Sequence, residues 1–130
     1  MKTESDLRRP RVGIVGPCTS GKSTLITNLR RVQAVELRHI AQEHSYVQTM
    51  WQHISKPDWL VFLDVSYPVT IDRNPRLNWS EEDYQEQQRR LAHAREHANI
   101  IISTDGLTPE QVAEKVLAFL NNLGLGPTEE

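Results

Sequence analysis

The sequence predicts an α/β domain in which helices cover both faces of a small parallel sheet. Three observations support this fold class. Strand-like apolar runs alternate along the chain with segments of helical periodicity, as expected when helices connect parallel strands. The run from Trp59 to Asp64 is apolar up to its final carboxylate, which is typical of a parallel strand buried on both faces. A glycine-containing loop, Gly16 to Ser23, separates the first strand from the first helix, as in three-layer α/β/α domains.

Each predicted element follows from its local pattern of apolar residues. The strands are short apolar or alternating runs, predicted at Arg11 to Val15, Ala34 to Ala41, Trp59 to Asp64 and Asn99 to Ser103. The helices have apolar residues spaced three and four apart, predicted at Lys22 to Val32, after Ser45 to about Lys56, early in Ser66 to Trp79, from Ser80 to about His97 and from Thr108 to Leu123. Right-handed crossovers between about four strands then give the sheet order 2-1-3-4.

Further signals predict where two of these helices begin and which face of a third is buried. Capping signals begin the last two, in the segments Ser80 to Asp83 and Thr108 to Gln111, and Gly124 is expected to end the last helix. The helix after Ser45 carries a stripe that we expect to pack in the core, made of Tyr46, Val47, Met50, Trp51 and Ile54.

Length and composition indicate one domain without strong electrostatic partners. The chain has 130 residues, so we expect a single domain at 11–123 with flexible tails at 1–10 and 124–130. Because the net charge is −2, no general attraction to nucleic acid or an anionic membrane is indicated. No apolar stretch approaches the roughly 20 residues of a membrane span. With no secretion signal and a single cysteine, Cys18, the protein is expected to be cytoplasmic.

The loop from Gly16 to Ser23 reads GPCTSGKS and matches the phosphate-binding pattern GxxxxGK[ST]. Between a strand and a helix, such a loop points successive backbone N–H groups into one concavity, where the helix dipole also favours an anion. Lys22 is expected to reach the β and γ phosphates, and Ser23 to bind Mg²⁺. The residues expected to bind the nucleotide are Gly16, Pro17, Cys18, Thr19, Ser20, Gly21, Lys22, Ser23, Thr24 and Thr104.

Cysteine and histidine positions do not indicate a second kind of site. Cys18 lies within the phosphate loop, where variable positions mainly contribute backbone amides, and this role is favoured over a redox switch. His39, His44 and His53 have no compact zinc-ligand spacing with a cysteine or a second ligand pair.

The sequence from Trp59 onward resembles the C-terminal half of P-loop small-molecule and nucleotide kinases. The resemblance is carried by LVFLDVSYPVTIDR, by a polar helix ending in RRLAHAREHA, and by NIIISTDGLTPEQVAEKVLAFL. It implies a P-loop NTPase domain that uses ATP and Mg²⁺ and transfers the γ-phosphoryl group to an acceptor. It also implies a lid carrying Arg73 and Arg76, and a contact between Thr104 and the adenine.

Two carboxylates are candidates for the Mg²⁺-linked or basic group, and the sequence leaves the choice open. Asp64 ends the third strand, where a carboxylate can orient Mg²⁺ through water. The resemblance instead points to the carboxylate after an earlier strand, which here is Glu43. The catalytic residues expected on this basis are Lys22, Glu43, Asp64, Arg73 and Arg76.

The sequence therefore predicts an ATP-binding P-loop protein acting as a compact kinase on a small molecule or nucleotide. The kinases it resembles have a longer segment before the third strand than 34–58 of this chain. This shortened segment supports the alternative, a regulatory ATPase or nucleotide switch without an acceptor. Neither the oligomeric state nor the acceptor is indicated.

Overall fold

The computed structural model describes residues 9–126, which form a four-stranded parallel sheet. The strands are Arg11–Val15 (β1), Glu36–His39 (β2), Trp59–Asp64 (β3) and Ile100–Ser103 (β4). β1 pairs in parallel with β2 and β3, and β3 pairs with β4, so that the order is β2-β1-β3-β4. The predicted fold class and strand order are confirmed.

Helices lie between the strands and after the last one. They are Lys22–Asn28 (α1), Met50–Ile54 (α2), Tyr67–Arg73 (α3), Glu81–His97 (α4) and Pro109–Asn122 (α5). Two short 3-10 turns lie at Gln42–His44 and Pro75–Leu77. In the described part of the chain, no helix has the length and apolar character needed to cross a membrane.

Two hydrophobic clusters fill the two faces of the sheet. Along β3, Val61 and Leu63 belong to one cluster, whereas Leu60 and Phe62 belong to the other. The first cluster contains Leu25 of α1 and Val116 of α5, among others, and the second contains Trp51, Leu91 and Ala94. Because side chains alternate between the faces of a strand, a strand covered on both faces has to be apolar throughout. This explains the apolar run that predicted β3.

The predicted helix ends of α4 and α5 are confirmed by their hydrogen bonds. The Asp83 N–H donates to Ser80 Oγ over 3.1 Å, and the Ser80 N–H donates to the Asp83 carboxylate over 3.0 Å. Thr108 and Gln111 form the same reciprocal pair at the start of α5. At its end, Gly124 has a φ of +74°, and the Leu125 N–H reaches the Leu120 carbonyl over 2.8 Å. Such a glycine stop satisfies the last helical carbonyls.

The predicted helix after Ser45 is wrong in its start and in most of its buried face. α2 begins only at Met50, and Tyr46, Val47 and Ile54 are exposed at 81%, 58% and 74%. Gln42 explains the difference, because its amide donates to the Val47 carbonyl and its Oε1 accepts the Trp51 N–H, each over 2.9 Å. A side chain that satisfies these backbone groups stabilises a turn where a helix was expected.

Two other predicted elements are shorter in the structure. β2 is limited to Glu36–His39, and α1 ends at Asn28. After Asn28 the chain tightens, because the N–H groups of Arg30 and Val32 bond the carbonyls three residues earlier. Leu29 and Val32 remain buried in the core despite lying outside the helix.

The predicted tails lie mostly outside the described residues. Of 1–10, only residues 9 and 10 are described, and the Arg9 guanidinium donates to the Val35 carbonyl over 3.3 Å. Of 124–130, residues 124–126 are described, and Leu125 packs against the cluster that contains α5.

Candidate functional site

The phosphate loop runs from the end of β1 to the start of α1, close to the end of β3. At Gly16 a Cβ atom would meet the Leu63 carbonyl oxygen at 2.2 Å, so only glycine allows this approach. Thr19 has a φ of +67°, in the left-handed region that is costly for a β-branched residue. This geometry explains why glycine suits the fourth position of the motif better than the threonine found here. The loop therefore stores backbone strain beside the cleft.

Lys22 lies folded under the loop in a buried ion pair. Its Nζ donates to the Gly16 carbonyl over 2.7 Å, to the Pro17 carbonyl over 3.3 Å and to Glu43 Oε2 over 2.9 Å. Only 6% of Lys22 and 4% of Glu43 is exposed. Two charges this well removed from water need each other and further hydrogen bonds. The structure thus brings together two predicted site residues that are 21 positions apart in the chain.

Three buried polar atoms at the loop have no hydrogen-bond partner among the described residues. They are Thr19 Oγ1, Ser20 Oγ and Glu43 Oε1. Leaving a buried polar group unsatisfied costs about 1–3 kcal/mol. The two loop hydroxyls can donate to an anion and Ser23 adds a third on an exposed residue, whereas the Glu43 oxygen can only accept.

A cleft of about 360 Å³ extends from the loop toward β4 and α5. One side is polar, formed by loop residues, Arg73 and Thr104. The other is largely apolar, formed by Leu25, Leu107, Pro109 and Val112. A phosphate loop at one end and an apolar wall at the other match the two parts of a nucleotide.

Arg73 connects the loop to the end of β4. Its guanidinium donates to the Thr19 carbonyl over 2.8 Å, to Thr104 Oγ1 over 3.0 Å and to the Thr104 carbonyl over 2.9 Å. Thr104 is buried, and its own hydroxyl donates to the Asp64 carbonyl over 2.7 Å. Arg73 and Thr104 therefore meet at the cleft. Arg76 is exposed in the Pro75–Leu77 turn and is not among the residues that line it.

Asp64 and Glu43 have different surroundings, although Asp64 ends β3 and Glu43 follows β2, the two strands that pair with β1. One Asp64 oxygen accepts the Val65 N–H over 3.0 Å, and the other pairs with Arg95 over 2.9 Å. Nearby, the Tyr84 hydroxyl donates to the Val65 carbonyl over 2.6 Å, and burial together with Asp64 raises the pKa of Tyr84. Asp64 therefore organises the turn after β3 in this structure, whereas Glu43 contacts the phosphate-loop lysine.

Sequence reasoning missed Gln87, which joins α4 to the phosphate loop. Its Oε1 accepts the Cys18 N–H over 3.0 Å, and its amide donates to Cys18 Sγ over 3.1 Å. Gln87 is 7% exposed and lies four residues before the buried Leu91. A polar residue in register with the apolar stripe of a helix was the signal available in the sequence. Arg95, which pairs with Asp64, carried no comparable signal.

Titratable groups also gather where the end of β2 approaches the loop. Ligand atoms of Cys18, Glu43 and His44 all lie within 4.8 Å of one another, although the spacing in the sequence indicates no such cluster. Burial, together with the charge of Lys22, lowers the pKa of His39, so its neutral form is favoured beside the loop.

The fold and the phosphate loop define a P-loop domain with three α/β/α layers. The chain is similar in structure to a shikimate kinase from Aquifex aeolicus, with a TM-score of 0.59. The match covers 89% of this chain and 99% of that kinase chain, at 18% sequence identity. No protein-family model matches the sequence, and no curated protein sequence does either. The protein therefore has the fold of a P-loop kinase.

Proposed function

We propose that the protein binds ATP in the cleft and transfers its γ-phosphoryl group to a small molecule or nucleotide. The observation that carries this proposal is the phosphate loop, where the buried Lys22 ammonium bonds the Gly16 carbonyl and the buried hydroxyls of Thr19 and Ser20 have no partner among the described residues. Thr19 and Ser20 line the cleft, and their hydroxyls can donate to a phosphate chain, whose charge the Lys22 ammonium of the same loop can offset.

In this proposal the phosphate loop holds the triphosphate and the apolar wall holds the base. Backbone N–H groups from Thr19 to Thr24 surround the phosphates, and the base lies toward Leu107 and Pro109. Arg73 contributes positive charge from the side of the cleft. Arg76 would contribute only if the Pro75–Leu77 turn closed over the bound nucleotide. Kinases of this type work mainly through such positioning and charge stabilisation.

Mg²⁺, when bound, would neutralise charge on the β and γ phosphates. Ser23 is the residue whose hydroxyl would hold it, and Asp64 is a candidate for a contact through water. The Arg95 pair already partly satisfies Asp64, which makes Glu43 the better-placed carboxylate for the reacting end. We therefore propose that Glu43 fixes Lys22 before binding and orients or deprotonates the acceptor afterwards.

A second candidate function is a regulatory ATPase or switch, and the packing of segment 42–51 favours it. A kinase would hold its acceptor in a pocket between Glu43, the helix predicted at Tyr46 to Ile54 and the lid arginines. In the structure the segment lies directly on α4, with the Gln48 amide on the Arg89 carbonyl at 2.7 Å. The Trp51 indole N–H also donates to His93 Nδ1 over 3.1 Å. An acceptor would have to enter beside this contact or displace it.

Acceptor-dependent ATP turnover separates the two functions. ADP release is measured with Mg²⁺ and ATP, alone and with a panel of nucleosides, nucleotides and small hydroxylated acids. The panel includes shikimate, the substrate in the name of the structurally similar kinase. A kinase should show a rise of about tenfold or more with one acceptor, together with a phosphorylated product. Turnover that stays equal with every acceptor supports the ATPase or switch. Lys22→Met is the control that should abolish turnover in either case.

A further inference from the structure

We propose that Cys18, Glu43 and His44 form a site for a thiophilic divalent cation, with Zn²⁺ as the best-fitting ion. Cys18 belongs to the phosphate loop, whereas Glu43 and His44 belong to the 3-10 turn after β2. One ligand atom from each residue, a sulfur, an oxygen and a nitrogen, lies within 4.8 Å of the other two. The fold, rather than the spacing in the chain, creates this group of ligands.

The distances suit a tetrahedral ion after a small movement of one side chain. Bonds of about 2.0–2.3 Å place the ligand atoms of tetrahedral zinc roughly 3.5 Å apart. Glu43 Oε2 and His44 Nε2 are already 3.7 Å apart. The His44 side chain is 62% exposed, so its ring can turn toward Cys18 without disturbing the core. Three protein ligands would leave the fourth position to water.

Glu43 provides the buried group that most needs such a ligand. Its side chain is 5% exposed, and Oε1 has no hydrogen-bond partner among the described residues. Oε2 is bound to Lys22 and is also the oxygen 3.7 Å from His44, so a cation there would contact Oε2 beside the unpartnered Oε1 while the ion pair persists. Zn²⁺, Lys22, the thiolate and the carboxylate together carry one net positive charge, and Lys22 stays bonded to Glu43 Oε2 and to the carbonyls of Gly16 and Pro17.

The ligand set distinguishes this site from the Mg²⁺ position of the proposed function. Mg²⁺ prefers oxygen ligands and keeps its waters, whereas a thiolate with an imidazole favours zinc. Gln87 supplies an outer contact, because its amide donates to Cys18 Sγ over 3.1 Å. Outer hydrogen bonds of this kind orient metal ligands. The proposal concerns the nucleotide-free protein and does not depend on kinase activity.

Cobalt provides a direct test, since Co²⁺ enters zinc sites and its spectrum reports the ligands. The nucleotide-free protein is titrated with Co²⁺ without added thiols, and Zn²⁺ is then added. We expect saturation at one equivalent, a thiolate-to-cobalt charge-transfer band, and displacement by Zn²⁺. Cys18→Ser should lose the band. His44→Gln should weaken binding by more than the ~10-fold to 100-fold typical of outer-shell changes. His53→Gln, at an exposed histidine outside the cluster, is the matched control and should bind as the native protein does.

Two results would overturn the proposal. One is the absence of a charge-transfer band in the native protein at saturating Co²⁺. The other is an affinity unchanged in both Cys18→Ser and His44→Gln, which would place the ion elsewhere. Because His44 is exposed, its variant should remain folded, and circular dichroism checks both variants. ATP binding measured without Co²⁺ or Zn²⁺ tests the proposed function separately, so the two proposals can fail independently.

Discussion

At the scale of single residues, the buried pair of Lys22 and Glu43 is the most consequential contact in the protein. The sequence identified Lys22 through its motif and Glu43 through a resemblance. It did not indicate that their side chains touch, because the contact depends on where the turn after β2 comes to lie. The pair therefore holds the side chain of the loop lysine in place through a residue of the turn after β2.

The pair gives a double-mutant test of stability. Lys22→Met leaves the Glu43 carboxylate buried without its partner and should reduce the free energy of unfolding by about 3 kcal/mol. Adding Glu43→Gln removes that stranded charge, so the double variant should recover much of the loss. Urea unfolding of the native protein, both single variants and the double variant measures the coupling. Additive effects of the two substitutions would show that the charges do not interact.

Thr19 offers a second residue-scale test, because its backbone lies in the left-handed region. Thr19→Gly removes a strain of roughly 1–2 kcal/mol but adds about 0.5–1 kcal/mol of chain entropy cost. It also removes the unpaired, buried Oγ1, so we expect a net stabilisation of about 1 kcal/mol. Thr24→Gly, in the adjoining helix α1, should instead destabilise the protein. The free energies come from urea unfolding. A destabilised Thr19→Gly would mean that the φ of +67° is not a source of strain.

At the scale of elements, the regular helices and strands were predictable and the segment after β2 was not. β3 is apolar because both its faces are buried, and α5 has apolar residues three and four apart because one of its faces is buried. These local patterns were enough to predict both elements to within a few residues. The segment after β2 is shaped by Gln42, which bonds the backbone at Val47 and Trp51 and α4 at the Arg90 carbonyl. Contacts over such separations cannot be read from local periodicity.

The contact between α4 and the phosphate loop gives a prediction for an element. Gln87→Ala removes both hydrogen bonds to Cys18 and leaves the half-buried Cys18 N–H without that partner, which should cost about 1 kcal/mol of stability. We also expect faster alkylation of Cys18, because the loop loses its anchor on α4. Gln85→Ala, on an exposed position of the same helix, is the control and should change neither quantity. Equal alkylation rates in the native and Gln87→Ala proteins would contradict this anchoring role.

At the scale of the whole molecule, the sheet order follows from the sequence, but the acceptor region does not. Four strands and the loop motif were enough to predict a parallel sheet with a candidate cleft at the carboxyl ends of its strands. The cleft that the structure shows is lined by loop residues and Thr104. The short segment between α1 and β3 packs on α4 through Gln48 and Trp51, and it occupies the region where an acceptor was expected. Only tertiary packing could reveal this.

The central claim is that the phosphate loop binds a nucleotide, and calorimetric titration with Mg²⁺-ATP tests it most directly. We expect saturable one-to-one binding by the native protein and by Lys115→Ala, a variant of an exposed lysine on α5. Binding by Lys22→Met should be at least about tenfold weaker, since charged hydrogen bonds contribute ~1.5–3 kcal/mol. The Lys22→Met/Glu43→Gln variant should be equally weak despite its recovered stability. Undiminished affinity in both Lys22 variants, or no binding by the native protein, would contradict the account.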